Sequence, residues 1–475
     1  MKYTLLLIST ILLMAGCSRE PREYVATFEP NLVQSTKYSL KDGIPMETMN
    51  QASQDAKWIV DGMFGTPDDP KLPAIFAEDD FADLVSMERI KHAAGPETTT
   101  SGLYRKHCVS CHGVTGNGRG VNSAILDPYP RDYRLGIFKF KSTKRGAKPV
   151  REDLARSIRH GIDGTAMKKI PELNEEDVQA LVDYVIYLSI RGELERTLID
   201  DAMFELDLAG GDRIVNRQFG DELAAPGRED QINTEIKAWE EADKPEDDPR
   251  AKLADQLDMY QESMEIADDL VADLADAWLE AEDDVIEVPE PPAEIPVADS
   301  DAEFVKLQNS DQADALAASI KRGQQVFTGK VASCSKCHGE KGHGDGQNKD
   351  YDDWTKDWTS RVGLNPEDTD SLIPMMARGA MPPKNALPRN FTEGVFRGGG
   401  TSADLYRRIL TGIEGTPMPA STFVPGQYEQ DDIWNLINFV RSIKEPSEDP
   451  LAPASDTADE STADQPATEQ PAEAT

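Results

Sequence analysis

The chain has 475 residues, enough for two or three domains of ordinary size. It carries 87 Asp and Glu against 50 Lys and Arg, a formal net charge of −37. Such a balance excludes nucleic acid as a partner, because phosphate binding needs a positive surface, and it favours basic partners.

Lys2, the apolar run Leu5 to Met14 and the small pair Ala15-Gly16 read as a secretory signal over residues 1–16, too short to span a bilayer. Met14-Ala15-Gly16-Cys17 has the form of a bacterial lipobox, which predicts lipidation of Cys17 and an anchor on the periplasmic side of a bacterial membrane. An ordinary cleaved signal leaving a free thiol is the alternative. Ser18 in place of an aspartate leans towards the outer membrane without deciding which membrane holds the anchor. No later segment has the length and apolarity of a membrane span.

Residues 17–96 form an extension without a paired-cysteine motif. Phe81, Leu84, Val85 and Met87 predict a short helix over 79–91, before Gly95-Pro96 marks a boundary. The first domain is expected over 97–192. It opens with a helix over 100–107, passes through Cys108-Val109-Ser110-Cys111-His112, and closes with a helix carrying Val178, Leu181, Val182, Val185, Ile186 and Leu188. Residues 193–300 turn acidic and helical. There the series Leu253, Leu257, Tyr260, Met264, Ala267, Val271, Leu274 and Trp278 repeats as an a/d heptad. The stripe suits a coiled-coil-like hairpin or docking helix, which could seat the chain in a larger complex, and equally an amphipathic helix packed on its own chain. Residues 288–296 are proline-rich and read as an extended linker.

The second domain, 301–445, repeats the first. Residues 153–167 align without a gap on 404–418, Pro130-Arg131-Asp132-Tyr133 matches Pro388-Arg389-Asn390-Phe391, and Cys334-Ser335-Lys336-Cys337-His338 repeats the cysteine motif. Three anchors in the same order twice mean a duplicated domain. Only the second copy carries an insertion, with Trp354, Trp358, Met375, Met376 and Met381, whose methionines read as packing residues. Residues 446–475 are nearly all Pro, Ala, Ser, Thr and acids, with no basic or aromatic residue, a composition expected to stay disordered.

Of five cysteines, four lie in the two Cys-x-x-Cys-His units. Two thiols one helical turn apart, with an imidazole behind them, suit addition to the two vinyl groups of a haem while the histidine takes the iron. This points to two covalently bound haem c groups, on Cys108, Cys111, Cys334 and Cys337, with His112 and His338 as iron ligands. Zinc would need further Cys or His at ligand spacing. Met167 and Met418, matched in the two copies after Gly-x-x-Gly-Thr, are the candidate sixth ligands, against the usual reading of methionine as core filling. His92, His107, His160 and His343 have no repeat counterpart and read as surface or hydrogen-bonding residues. Arg131 and Arg389 are candidates to pair with haem propionates, or are ordinary surface arginines.

Each copy resembles a class I cytochrome c domain. The likeness is greatest to the modules of dihaem cytochromes and of the third, haem-bearing subunit of cbb3-type oxidases. The resemblance implies a mainly α fold in which the terminal helices of each domain cross. It sets Gly323 and Phe327 against Trp434 and Phe439, and Tyr104 against Tyr184 and Tyr187. It also implies a redox protein of a periplasmic respiratory chain, passing electrons between a quinol-oxidising complex and a terminal oxidase or reductase, rather than an enzyme. Alternatives are a fixed subunit of a larger respiratory complex and a dihaem peroxidase, the last needing an open iron and acid–base groups.

Overall fold

A computed structural model describes residues 26–96, 102–242 and 248–444. The signal segment, Cys17 and the acidic tail 446–475 lie outside the described residues. In chain order the helices are α1 (Leu32–Asp42), α2 (Met46–Phe64), α3 (Met87–Ala93), α4 (Leu103–His107), α5 (Val109–His112), α6 (Arg151–His160), α7 (Glu175–Glu205), α8 (Arg217–Leu223), α9 (Arg228–Glu240), α10 (Pro249–Leu279), α11 (Asp301–Gln308), α12 (Ala313–Thr328), α13 (Ser335–His338), α14 (Asp353–Trp358), α15 (Thr369–Ala377), α16 (Ser402–Thr411) and α17 (Asp432–Ser442). The described residues form no β-strand, only isolated bridges.

The centre of the first half is α7. Asn174 and Asp177 cap it reciprocally, each side chain accepting from the other's backbone N–H at 3.0 and 3.1 Å. Its 31 residues make a rod about 46 Å long. It runs through the boundary expected at 192/193, because the apolar pattern continues through Leu194, Leu198 and Ile199 with no residue that stops a helix.

The extension is built into this core. Met49, Ala52, Ala56, Ile59, Val60 and Met63 line the buried face of α2, and the helix over 79–91 is corrected to α3 alone. Residues 79–84 turn instead, with Phe81 and Leu84 N–H bonded three residues back, and Ser86 caps the helix that follows. Phe81, Leu84 and Val85 are buried all the same. Ionic pairs fix these layers. Asp183, fully buried on α7, accepts from Ser86 N–H and Arg89 at 2.7 Å and pairs with Arg151. Glu195 accepts from Asn31 N–H at 2.6 Å and pairs with the buried Arg191 at 3.3 Å.

The heptad stripe is consumed inside the chain. Leu257 meets Phe219 and Ile232 of α8 and α9, while Ala267, Val271, Ala275 and Trp278 join the core around α7. The proline-rich segment is extended but docked. Val288, Ile295 and Val297 lie against Leu405, Tyr406, Ile433, Trp434 and Ile437 of the second domain.

In that domain α12 crosses α17 at Gly323, where a Cβ would stand 2.0 Å from the Asn435 carbonyl oxygen. Phe327 and Phe439 pack at 5.1 Å between ring centroids. Trp434 does not share that face: its ring lies 4.6 Å from Tyr406. Five positions along a helix place it about 140° around from Phe439. In the first domain α4 is short, and Tyr104 meets Tyr184 at 4.9 Å, with Tyr187 stacked behind at 5.5 Å. The insertion supplies α14 and α15. Trp358, Leu372 and Met375 form a small core against Val33 and Met376, with Met375 fully buried.

Candidate functional site

Each Cys-x-x-Cys-His unit closes one helical turn. His112 N–H bonds the Cys108 carbonyl at 2.8 Å, and His338 N–H that of Cys334 at 2.9 Å. Gly113 and Gly339 then take left-handed φ of 74° and 76° to leave the turn. Burial pushes the Cys108 thiol up to about 12 and the Cys334 thiol to about 11. Burial thus keeps these two thiols protonated in the free side chains. Among the described residues no three His, Cys, Asp or Glu side chains converge as a metal-ion cluster, so the donor set does not suit zinc.

The two imidazoles are oriented identically. His112 Nδ1 lies 3.2 Å from the Arg131 carbonyl oxygen, and His338 Nδ1 lies 3.2 Å from that of Arg389. A carbonyl only accepts, so Nδ1 carries the proton and Nε2 is left with its lone pair for iron. Burial lowers both histidines, His112 to about 4, which keeps the rings neutral. Tyr133 stacks on His112 at 5.0 Å and Phe391 on His338 at 4.4 Å. The repeated Pro-Arg-Asp/Asn-aromatic segment thus supplies both the acceptor and the ring that fix each histidine.

The methionine loops match bond for bond. Ile162 N–H donates to the Met167 carbonyl at 2.7 Å, and Ile413 N–H to that of Met418 at 3.2 Å. Thr165 Oγ1 donates to the Ile162 carbonyl and accepts from Met167 N–H at 3.1 Å. Thr416 does the same with Ile413 and Met418, the latter at 3.2 Å. Gly161 and Gly412, with φ of 73° and 71°, allow the close return: a Cβ would sit about 2.6 and 2.5 Å from the two methionine carbonyls. Both methionines are half-buried.

Around the second site, Arg389 Nε and Arg397 Nε are buried without a hydrogen-bond partner, while Arg389 Nη2 bonds Glu393 at 2.8 Å. Two orphaned cationic N–H groups beside a thioether-forming motif suit the propionates of a haem. Arg131 is engaged differently: its guanidinium carbon lies 3.4 Å from the Trp354 ring centroid, and burial holds it down at about 10. Of the remaining histidines, His92 Nε2 lies 2.8 Å from Asp177, and His160 and His343 are exposed. Sequence reasoning gave no role to Trp354, whose only signal was an unmatched aromatic in an insertion.

Residues 96–185 match the family model described as cytochrome c oxidase, cbb3-type, subunit III, and residues 320–444 match the one described as cytochrome c. No curated protein matches the chain. Among solved structures it is similar to a chain of a reducing HAO-like protein complex of Kuenenia stuttgartiensis. The identity is 20%, over 76% of this chain and 97% of that one, with a TM-score of 0.37. No helix among the described residues is long and apolar enough to cross a membrane.

Proposed function

We propose that this chain, which holds two cytochrome c-type domains in tandem and so serves electron transfer, carries one haem c in each domain and works as a dihaem electron carrier. The observation that carries this reading is the duplicated ligand geometry: two neutral histidines with Nε2 left for iron, and two identically bonded methionine loops. Haem, when bound, would supply a one-electron iron couple, and ligation by methionine together with histidine would raise its potential relative to two imidazoles.

The chain's own residues do the rest. Cys108 with Cys111, and Cys334 with Cys337, hold the groups. The Arg131 and Arg389 carbonyls orient the histidines. Tyr133 and Phe391 cover the imidazoles and keep water from them. Arg389 and Arg397 neutralise propionates at the second site. A histidine and a methionine available to iron in each domain would favour outer-sphere transfer over peroxidase chemistry, and His160 is exposed. The heptad stripe that would dock a fixed subunit packs against the chain's own helices, with Leu257, Ala267, Val271 and Trp278 buried, which favours a free carrier.

In this reading Cys17 is lipidated and the carrier is tethered on the periplasmic side of a bacterial membrane. It would link a quinol-oxidising complex to a terminal oxidase or reductase, with redox proteins presenting basic faces as partners. The test is haem content together with the spectrum of the holoprotein with and without carbon monoxide. Two haems, a ferric methionine charge-transfer band and a reduced spectrum unmoved by carbon monoxide are expected. A haem that takes carbon monoxide would transfer the reading to an enzyme with an open iron.

A further inference from the structure

The two domains meet through equivalent residues. Gly164 of the first methionine loop faces Val395 and Arg389 of the second domain, and Arg397 Nη2 donates to the Gly164 carbonyl at 3.1 Å. Gly415 of the second loop faces Ile137 of the first domain. In the repeat Gly164 matches Gly415, Val395 matches Ile137, and Arg389 matches Arg131. Phe140 packs on Gly398, its own repeat counterpart, as a pair astride a two-fold axis must. Arg156 closes the contact on Asp404 at 2.6 Å.

One residue breaks this symmetry. Trp354, from the insertion present only in the second copy, fills the space between Arg131 and Gly415. Its ring is so close to Gly415 that a Cβ there would stand 2.3 Å from it. Its Nε1–H donates to the Asp132 carbonyl at 3.2 Å, and the neighbouring Asp353 N–H donates to the Gly415 carbonyl at 3.1 Å. Arg131 and Lys139 hold cationic groups over the ring at 3.4 and 5.2 Å.

Followed from site to site, these contacts form an unbroken line. His112 Nδ1–H bonds the Arg131 carbonyl. The next carbonyl, that of Asp132, accepts from Trp354. The indole ring lies on Gly415, and Thr416 beside it accepts from Met418 N–H. At the symmetric position near Gly164 no ring intervenes; the contacts there are the Val395 and arginine side chains.

We propose that Trp354 is the junction through which the two haem-binding sites exchange electrons. The inference rests on the dihaem reading above. One electron leaves the ferrous iron of one site and reduces the ferric iron of the other. No bond forms or breaks, no proton moves, and Trp354 is neither oxidised nor reduced. Trp354 is thus a positioning residue for transfer: it replaces a gap, across which no atoms would couple, with a packed conjugated ring.

The test uses partly reduced holoprotein and the paramagnetically shifted haem methyl signals of wild type, W354F and W354A. Wild type is expected to show averaging of the two haems' signals by an exchange independent of protein concentration. In W354A that exchange slows by about an order of magnitude, because the void left has no atoms on one side. W354F, which keeps a ring but loses the N–H bond to Asp132, falls between. A redox titration should leave both potentials of W354F in place, and small-angle scattering should show the domains of W354F still paired. Unchanged intramolecular exchange in a paired W354A overturns the proposal. If W354A separates its domains, W354F decides: exchange at the wild-type rate overturns it, and slowed exchange with unchanged potentials supports it. Failure of the dihaem reading shows separately, as a wild type with a single haem or one that binds carbon monoxide.

Discussion

The crossing of α12 and α17 offers a test of the fold with a sign that local propensity alone would get wrong. In an isolated helix, Gly323→Ala gains about 1 kcal/mol. Here the new Cβ would stand 2.0 Å from the Asn435 carbonyl oxygen and 2.8 Å from Phe439 Cβ. Both obstacles belong to a packed helix and cannot rotate away, so the helices must part by about an ångström, an overpacking that costs roughly 1–3 kcal/mol. Parting them also stretches a buried polar network, in which Ser319 Oγ donates to Asn435 at 2.8 Å and accepts from Asn438 at 2.9 Å. A buried group left unpaired there adds about 1–3 kcal/mol. Set against the helical gain, the net loss is about 1–5 kcal/mol, centred near about 3 kcal/mol. At a mid-range urea slope of about 2 kcal/mol per molar, the central value lowers the unfolding midpoint of the second domain by about 1.5 M. Urea titration followed through the haem absorbance reads it directly. A midpoint unchanged or raised would show that the crossing does not depend on glycine, and the packing argument would fall.

Three further outcomes follow from particular residues. Met418→Leu removes the thioether proposed as an iron ligand. It should abolish the ferric charge-transfer band of one haem, lower that haem's potential and let it bind carbon monoxide when reduced; retention of the full band would overturn the ligand assignment. Asp183→Ala strands Arg89 and Arg151, both partly exposed, so the cost lies near the lower end for a broken buried pair, about 3 kcal/mol. Its readout is a lowered midpoint for the first domain together with protease cleavage near α3. Lys139 is lowered from 10.5 to about 8, first by burial and then by Arg131, with Asp352 acting against them. Between about pH 8 and 10.5 the unfolded chain therefore binds more protons than the folded one. Stability from this group rises with pH through that window, falls as pH drops from 10.5 to 8, and is flat below. Lys139→Met should flatten the slope, as measured by urea unfolding across that range.

Much of each site was legible because duplication writes it twice. The cysteine motifs, the methionine loops and the Pro-Arg segments stand at matched positions, and the structure shows those segments bonded alike in both copies. What stayed hidden depends on contacts between distant residues. Trp354 bonds a carbonyl 222 positions away, and Asn31 N–H reaches Glu195 across 164, so neither partner leaves a local pattern. The expected helix over 79–91 failed because burial of Phe81, Leu84 and Val85 looks the same in turns as on a helical face. The carbonyl acceptors of the two histidines are backbone atoms, which no residue type announces.

Because α7 is one uninterrupted rod, the first domain has no clean edge on its C-terminal side. Residues before 192 wall the first site, and residues after it take up the extension through Glu195 and the insertion through Arg196, which bonds Asp357 at 3.2 and 3.3 Å. The two halves are therefore not interchangeable cassettes. A fragment cut at 192 would lose the surface on which its own N-terminal segment lies, so swapping or excising one haem module would have to carry the whole rod along.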